Sequence, residues 1–252
     1  MPVRRVSFQS ETHALAGILD LPADPPRFIA LFAHCFTCTK DIKAIARISR
    51  FLSQQNVAVL RFDFRGLGGS KGVFADSNFL TNLADIRAAT QFLTQELGAP
   101  QILIGHSLGG AAMMAIASEI KSATGLVTLA APSDTSHLVH TLLRLNPDIT
   151  NHGEGDVVIG GMTHRIKQQM LDVLDQYDLP AKIKSLNLPH LIVHSAADET
   201  VLLQHAQNIF QWTGGPKTII TPGESDHLFV DNPKDVAMLA GFIESWLSAL
   251  EA

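Results

Sequence analysis

Residues 102–110 have the sequence Ile-Leu-Ile-Gly-His-Ser-Leu-Gly-Gly (ILIGHSLGG), and this stretch decides the fold. It contains the pattern G-x-S-x-G, directly after an apolar run predicted as a strand (102–105) and directly before an Ala- and Met-rich run predicted as a helix (108–120). The serine of such a strand–turn–helix lies on a sharp, strained turn that presents its hydroxyl at the end of the strand. We therefore predict that Ser107 is a nucleophile, and the alternative is a glycine-rich turn without chemistry.

Predicted strands and helices alternate on both sides of this stretch. The other predicted strands are 3–8, 14–21, 28–34, 57–62, 125–130, 191–194 and 217–221, and the other predicted core helices are 40–55, 78–97, 201–212 and 236–250. The first two strands are separated by a short polar turn, which is typical of a hairpin. Alternation of this kind predicts an α/β fold with a mostly parallel central sheet of about eight strands and helices on both of its faces.

The alternation stops between residues 133 and 188. This segment has a predicted small hairpin at 156–166, which turns at Gly160 and Gly161, and then an amphipathic helix at 166–177. We interpret 133–188 as a cap inserted into a core that consists of 1–132 and 189–252. No internal repeat or low-complexity tract interrupts either part.

A serine hydroxyl needs a general base, and the base needs an orienting acid. In folds built around this serine turn, the acid and then the histidine follow the serine along the chain. Of the 11 histidines, His227 lies where the base is expected, in a polar loop between the last predicted strand and the last helix. Asp198 follows the strand 191–194 and is the predicted acid. Its neighbour Glu199 is the competitor, with a charge at a helix start as its alternative role.

Two amides are expected to hold the oxyanion that develops during attack on a carbonyl. One is the amide of Leu108, the residue after the nucleophile, and the other is the amide of Phe36, with that of Cys35 as the alternative. Cys35 and Cys38 form a C-x-x-C pair, for which a redox role or half of a metal site are possible functions. No second cysteine pair exists and the motif does not open a helix in a small domain of its own, so we predict unbridged thiols.

The segment 133–188 is rich in apolar side chains that are suited to a substrate pocket above Ser107. We predict that Leu142, Ile159 and Met162 line this pocket together with Cys35. Such a pocket favours short-to-medium acyl esters or aryl esters.

Composition limits the partners of this protein. The 252 residues are 46% hydrophobic and 17% charged, with a formal net charge of −5, which argues against a nucleic-acid binder because phosphate requires a basic face. No apolar run is long enough to span a membrane, and the N-terminus lacks the apolar stretch of a secretion signal, so the expected location is cytoplasmic. The expected partner is a small-molecule ester, and a homodimer is left open. The prediction includes no cofactor and no metal.

Five motifs together resemble the α/β-hydrolase superfamily across nearly the whole chain. They are HCFT at 34–37, RFDFRGLGGS at 61–70, GHSLGG at 105–110, HSAADETV at 194–201 and SDHLF at 225–229. The layout is similar to small bacterial carboxylesterases of the feruloyl/cinnamoyl type, whose oxyanion loop commonly has the sequence H-G-F-T. It also resembles the hydrolase half of proteins that fuse such a domain to an OsmC-like domain, which share an H-C-F-T-C loop and an I-G-G stretch in the cap.

This resemblance implies a serine hydrolase that cleaves carboxylic esters through Ser107, His227 and Asp198. Cys35 departs from the esterase pattern, because it stands where a glycine is usual, and this affects which loop amide completes the oxyanion hole. A thioesterase, a peptidase or an acyltransferase with the same triad is the alternative enzyme. A non-catalytic or redox-accessory module that uses Cys35 and Cys38 is the alternative from a different class.

Overall fold

The computed structural model describes residues 2–229 and 233–251, so the end residues 1 and 252 of the predicted core lie outside the described residues. The described strands are β1 (Val3–Ser10), β2 (His13–Asp20), β3 (Phe28–Ala33), β4 (Val57–Phe62), β5 (Ile102–His106), β6 (Gly125–Leu129), β7 (Glu154–Ile159), β8 (Met162–Lys167), β9 (His190–Val193) and β10 (Lys217–Ile220). The described α-helices are α1 (Lys43–Gln54), α2 (Phe79–Glu96), α3 (Leu108–Ile116), α4 (Ser136–Leu145), α5 (Asp148–His152), α6 (Gln168–Gln176), α7 (Leu179–Lys184), α8 (Leu203–Trp212) and α9 (Pro233–Leu250).

Eight of the described strands form one sheet in the order β1-β2-β4-β3-β5-β6-β9-β10. β1, β2 and β4 pair antiparallel, whereas the pairs from β4 to β10 are parallel. Strands β4, β5 and β6 are buried along their whole length, as continuous apolar runs covered on both faces should be. The predicted α/β-hydrolase architecture, with a mostly parallel sheet of about eight strands, is confirmed.

Helices cover both faces of this sheet because each presents an apolar stripe at helical spacing. In α1 the stripe is Ile45, Ile48 and Leu52, and it packs with α9 on one face. Helices α2, α3, α7 and α8 pack on the other face. Helix α2 begins at a reciprocal cap in which the Asn78 side chain accepts the Thr81 amide. No helix in the described residues is both apolar enough and long enough to cross a bilayer.

The chain between β6 and β9 folds as α4, α5, the antiparallel hairpin β7–β8, α6 and α7. The predicted hairpin is present, and Gly160 and Gly161 both adopt the positive φ that its tight turn requires. The predicted helix at 166–177 begins only at Gln168, because the two preceding residues pair in β8. The Gln169 side chain ties α6 to the start of α2, where its amide donates to the carbonyl of Ser77 at 2.8 Å.

Candidate active site

Ser107 lies on the turn between β5 and α3 with φ 52° and ψ −122°, a conformation that costs energy for any residue other than glycine. Close packing explains the flanking glycines. A Cβ on Gly105 would collide with the backbone of Gly109, and a Cβ on Gly109 would collide with the carbonyls of Ala33 and His34. The Ser107 amide donates to the Leu129 carbonyl of β6 at 2.8 Å, which anchors the turn to the neighbouring strand. The sheet therefore holds the hydroxyl in one place.

The structure brings Ser107, His227 and Asp198 together although they are far apart in sequence. His227 Nε2 lies 3.0 Å from Ser107 Oγ, and His227 Nδ1 lies 2.7 Å from Asp198 Oδ2. The three side chains come from the ends of β5, β9 and the loop after β10, which meet at one edge of the sheet. Glu199, the competing acid, lies in the wall of the adjacent cavity and makes neither of these two contacts.

The hydrogen bonds define which nitrogen of His227 faces each partner. A carboxylate only accepts hydrogen bonds, so Nδ1 of His227 carries a proton, and Nε2 is the nitrogen placed to take the Ser107 hydroxyl proton. Burial favours the neutral form of Asp198, but the hydrogen bond from His227 and the amides of Thr200 and Val201 outweigh it and hold the pKa of Asp198 below its usual value. The carboxylate is therefore ionised at neutral pH.

The loop that carries His227 is held by a hydrogen bond from His106 and by a hydrogen bond within the loop. His106 Nε2 donates to the carbonyl of His227 at 2.8 Å, because a carbonyl can only accept. Burial and the nearby His227 lower the pKa of His106 to about 3, so this ring is neutral. Phe229 is fully buried with φ 54°, and its amide donates to the Asp226 carbonyl at 3.1 Å. His106 was not predicted as part of the site, because its place directly before the nucleophile does not show that its ring reaches the loop of His227.

The two predicted oxyanion donors, Phe36 and Leu108, line the same cavity as Ser107. Leu108 is the first residue of α3, where an amide has no acceptor inside the helix. Within residues 2–229 and 233–251, neither of these two amides donates a turn or loop hydrogen bond to the backbone. The loop after β3, which contains Phe36, is held by His34. The Nε2 atom of His34 accepts a hydrogen bond from the Phe64 amide, so its Nδ1 atom donates to the Cys35 carbonyl at 2.8 Å.

The prediction that Cys35 and Cys38 are unbridged thiols is wrong, because the structure joins them in a disulfide. The chain turns back at this point, where the Cys38 amide donates to the Cys35 carbonyl at 3.3 Å. This turn brings the two Cα atoms to 5.3 Å, within the range that a disulfide spans. The spacing of the two cysteines is compatible with bridged and unbridged forms alike, so the sequence did not decide between them.

A cavity of about 680 Å³ opens above Ser107, which is within the usual size range for small-molecule sites. Of the four predicted pocket residues, Cys35, Ile159 and Met162 line it. The assignment of Leu142 is wrong. Its side chain is fully buried in the apolar core on this side of the sheet, and it is absent from the described cavity wall.

The cavity wall also includes Leu138 and Leu145, two of the apolar side chains of 133–188 that the sequence offered for it. Sequence reasoning missed other residues of this wall, among them Thr141, Val158, His137 and Pro132. Leu138, Thr141 and Leu145 all belong to α4 and share one side of it, and the buried Leu142 lies directly beside that side, one helical turn after Leu138. Among the described residues, no group of three or more His, Cys, Asp or Glu side chains is arranged to hold a metal ion.

A family model described as Alpha/beta hydrolase family matches residues 30–239. This match covers most of the chain, and the described strand order and serine turn agree with it. The chain belongs to the alpha/beta hydrolase family.

Solved structures extend this finding. The esterase domain of a Rhodothermus marinus protein is 40% identical, with a TM-score of 0.80 and 98% of each chain covered. Est1E from Butyrivibrio proteoclasticus, solved with ferulic acid bound, has a TM-score of 0.86 over 97% of this chain and 98% of its own. Its identity of 21% supports a shared fold alone.

Curated relatives carry a less informative name. The uncharacterized protein YfhR of Escherichia coli O157:H7 is 25% identical over 236 residues, which are 90% of this chain and 74% of the relative. Across the YfhR proteins of Escherichia coli and Salmonella, the matched region covers 66% to 74% of the relative's length.

Proposed function

We propose that this protein is a carboxylic-ester hydrolase that works through an acyl-enzyme on Ser107. The observation that carries the proposal is the continuous chain of contacts from Ser107 Oγ to His227 and on to Asp198, at 3.0 Å and 2.7 Å, at the floor of an open cavity. This arrangement provides a nucleophile, a general base and an orienting carboxylate in hydrogen-bond contact.

The reaction follows from the positions of these groups. His227 Nε2 takes the Ser107 proton while Oγ attacks the ester carbonyl, and Asp198 stabilises the imidazolium that forms. The amides of Leu108 and Phe36 hold the oxyanion. The imidazolium then protonates the leaving alcohol. Water attacks the acyl-enzyme with His227 as its base, which releases the acid and restores the serine.

The substrate class follows from the wall of the cavity. We assign 133–188 as a cap whose α4 and β7–β8 hairpin provide much of that wall, and the side chains that they contribute, such as Leu138, Ile159 and Met162, are mostly apolar. An apolar wall favours short-to-medium acyl esters or aryl esters over strongly charged ones. The esterase name of the Rhodothermus marinus domain and the ferulic acid in Est1E agree with this class.

The test is a panel of p-nitrophenyl acetate, butyrate, octanoate and palmitate together with methyl ferulate, measured on the wild type and on Ser107→Ala. We expect turnover of the short and medium esters or of the ferulate, weak turnover of palmitate, and loss of turnover in the variant. Matched thioester and anilide substrates separate the alternatives, because faster acyl transfer from either would replace the ester assignment. No turnover of any ester by folded protein would refute the proposal.

A further inference from the structure

The Cys35–Cys38 disulfide lies in the wall of the same cavity as Ser107, and no step of the proposed reaction uses it. It closes a loop of four residues, and Phe36, whose amide is the second oxyanion donor of the proposed mechanism, is inside that loop. The covalent bond therefore fixes the backbone on which this donor depends.

The contacts of the loop show where the disulfide is needed. On the N-terminal side, β3 and the hydrogen bond from His34 hold the Cys35 carbonyl. On the C-terminal side, the Lys40 amide donates to Asp63 Oδ1 at 2.7 Å, and the Lys40 ammonium pairs with the same carboxylate. Between these anchors, the backbone of Cys38 is held by the disulfide and by one long hydrogen bond of 3.3 Å to Cys35.

The loop also contains a backbone conformation that is unfavourable by itself. Thr37 has φ 58°, in the left-handed region that β-branched residues avoid. Its side-chain hydroxyl donates to the Phe36 carbonyl next to it, a local bond that would survive opening of the ring. A strained residue persists where its surroundings determine the backbone, and the disulfide supplies such a restraint here. Without the bridge, residues 36–38 are free to relax.

The two cysteines are not equally exposed. Cys35 is buried, with 4% of its surface exposed, whereas Cys38 is partly exposed. Both residues border a cavity that is large enough to admit a small reagent. Attack on a disulfide requires access to one of its sulfur atoms, so Cys38 Sγ is the site of attack.

We propose that the Cys35–Cys38 pair is a thiol–disulfide exchange site for a dithiol reductant, and that its redox state sets the rate of the hydrolysis at Ser107; the second half rests on the proposed function. The thiolate of the dithiol attacks Cys38 Sγ, a mixed disulfide forms, and Cys35 leaves as a thiolate. The second thiol of the reductant then displaces Cys38 and closes the reductant's own disulfide. Two electrons and two protons pass from the dithiol to the cysteines.

Reduction changes the chemistry through the placement of Phe36. Its amide loses the restraint that aims it at the oxyanion, whereas Ser107, His227 and Asp198 keep their anchors in the sheet. A misplaced oxyanion donor weakens the transition state more than substrate binding. We expect kcat to fall about tenfold, less than the loss on removing a donor outright, while KM stays within about twofold.

The experiment titrates the folded wild type with dithiothreitol and measures free thiols and p-nitrophenyl butyrate turnover on the same samples. We expect no free thiol before reduction, two afterwards, and a fall in kcat that follows the thiol count. Reoxidation should restore the rate, which excludes irreversible loss of the fold, and an unchanged far-UV circular dichroism spectrum of the reduced sample excludes reversible unfolding. Cys38→Ser should have the rate of the reduced wild type and should not respond to dithiothreitol.

Three results would overturn the inference: free thiols in the air-oxidised folded protein, no thiols after excess dithiothreitol, or full reduction without a change in kcat. Failure of the proposed function gives a different pattern, since no ester is then turned over in either redox state. That result also removes the claim about the rate, while the thiol counts still decide whether the pair exchanges with a dithiol.

Discussion

The sheet edge that carries Ser107 and the hairpin β7–β8 above it contribute to the same cavity in different ways. The sheet edge is buried, and parallel strands hold its backbone on both sides. The hairpin is a two-stranded sheet of its own, and it exposes Val158 and Met162 at 63% and 56%. Both side chains line the cavity, where a bound ligand would cover them.

Because of this difference, we expect one region to determine the rate of the reaction and the other to determine which substrates are accepted. Groups that must stay within a few tenths of an ångström of one another follow the carboxyl ends of paired strands of the main sheet, whose register cannot slip without turning every side chain to the opposite face. Groups that only shape a pocket come from the hairpin and α4, where a substitution changes the wall without moving the nucleophile. Substitutions in the two regions should therefore change different kinetic constants.

The largest expected effect is at the base. His227→Ala removes the group that takes the Ser107 proton, and we expect kcat for p-nitrophenyl butyrate to fall by about 10⁴ or more. His140→Ala, an exposed histidine of α4, is the matched control and should retain wild-type turnover. Residual activity of His227→Ala within tenfold of the wild type would show that another base acts.

A smaller effect is expected where the sheet supports the base. His106→Phe removes the donor to the His227 carbonyl, and we expect kcat to fall about tenfold with little change in KM, because the ring of His227 is less well held. His106→Gln keeps a side-chain amide donor and should recover part of this loss. Equal kcat values for the two variants and the wild type would remove His106 from its positioning role.

The hairpin should affect selectivity instead of rate. Met162→Ser removes apolar surface from the cavity wall, and we expect KM for p-nitrophenyl octanoate or methyl ferulate to rise by about fivefold, while kcat/KM for the acetate stays close to wild type. Thr163→Ala is the matched control, since Thr163 is exposed on the same strand and does not line the described cavity. A uniform loss for all three esters would mean that the hairpin supports the nucleophile as well.

The smallest effect on activity, and a measurable one on stability, is expected inside the sheet. Burial lowers the pKa of His190 to about 3, whereas an unfolded histidine titrates near 6.5. Between these pH values the unfolded chain binds a proton that the folded chain does not. The free energy of unfolding is therefore unaffected by His190 above about pH 6.5. It decreases as the pH falls toward 3, by up to about 1.4 kcal/mol per pH unit, because protonation of His190 favours the unfolded chain.

His190→Gln removes this titration, so urea unfolding of the variant should depend less steeply on pH than that of the wild type between pH 7 and pH 5. Ester turnover at neutral pH should not change, because His190 contacts Thr128 and Thr213 and lies away from the cavity. Parallel pH dependences of the free energy of unfolding would contradict the assignment.

The sequence predicted the sheet edge better than the cavity wall, for physical reasons. Ser107 stands in a tight turn that tolerates few sequences, and the chain order of Asp198 and His227 follows from the order of the strands. Leu142 shows the opposite case. It was chosen because it is an apolar residue of 133–188, but only the folded chain decides which side chains of α4 are buried and which border the cavity.

The cysteine pair shows a second limit of the sequence. Whether Cys35 and Cys38 come close enough to form a disulfide depends on the turn between them. Thr37 adopts a positive φ in this turn, and no pattern in the sequence predicts that conformation. His106 was missed because its hydrogen bond goes to the backbone of a loop 121 residues away. Contacts of this kind are set by the folded chain and leave no periodic pattern.

The most direct test of the central claim is to trap the acyl-enzyme. Folded protein is mixed with p-nitrophenyl butyrate, quenched in acid within the first turnover, digested and analysed by mass spectrometry. The account predicts a butyryl group on the peptide that contains Ser107, with a burst of p-nitrophenol close to one equivalent per chain, and neither in Ser107→Ala. Turnover of the ester with the acyl group on another residue, or with an unchanged rate in Ser107→Ala, would contradict it.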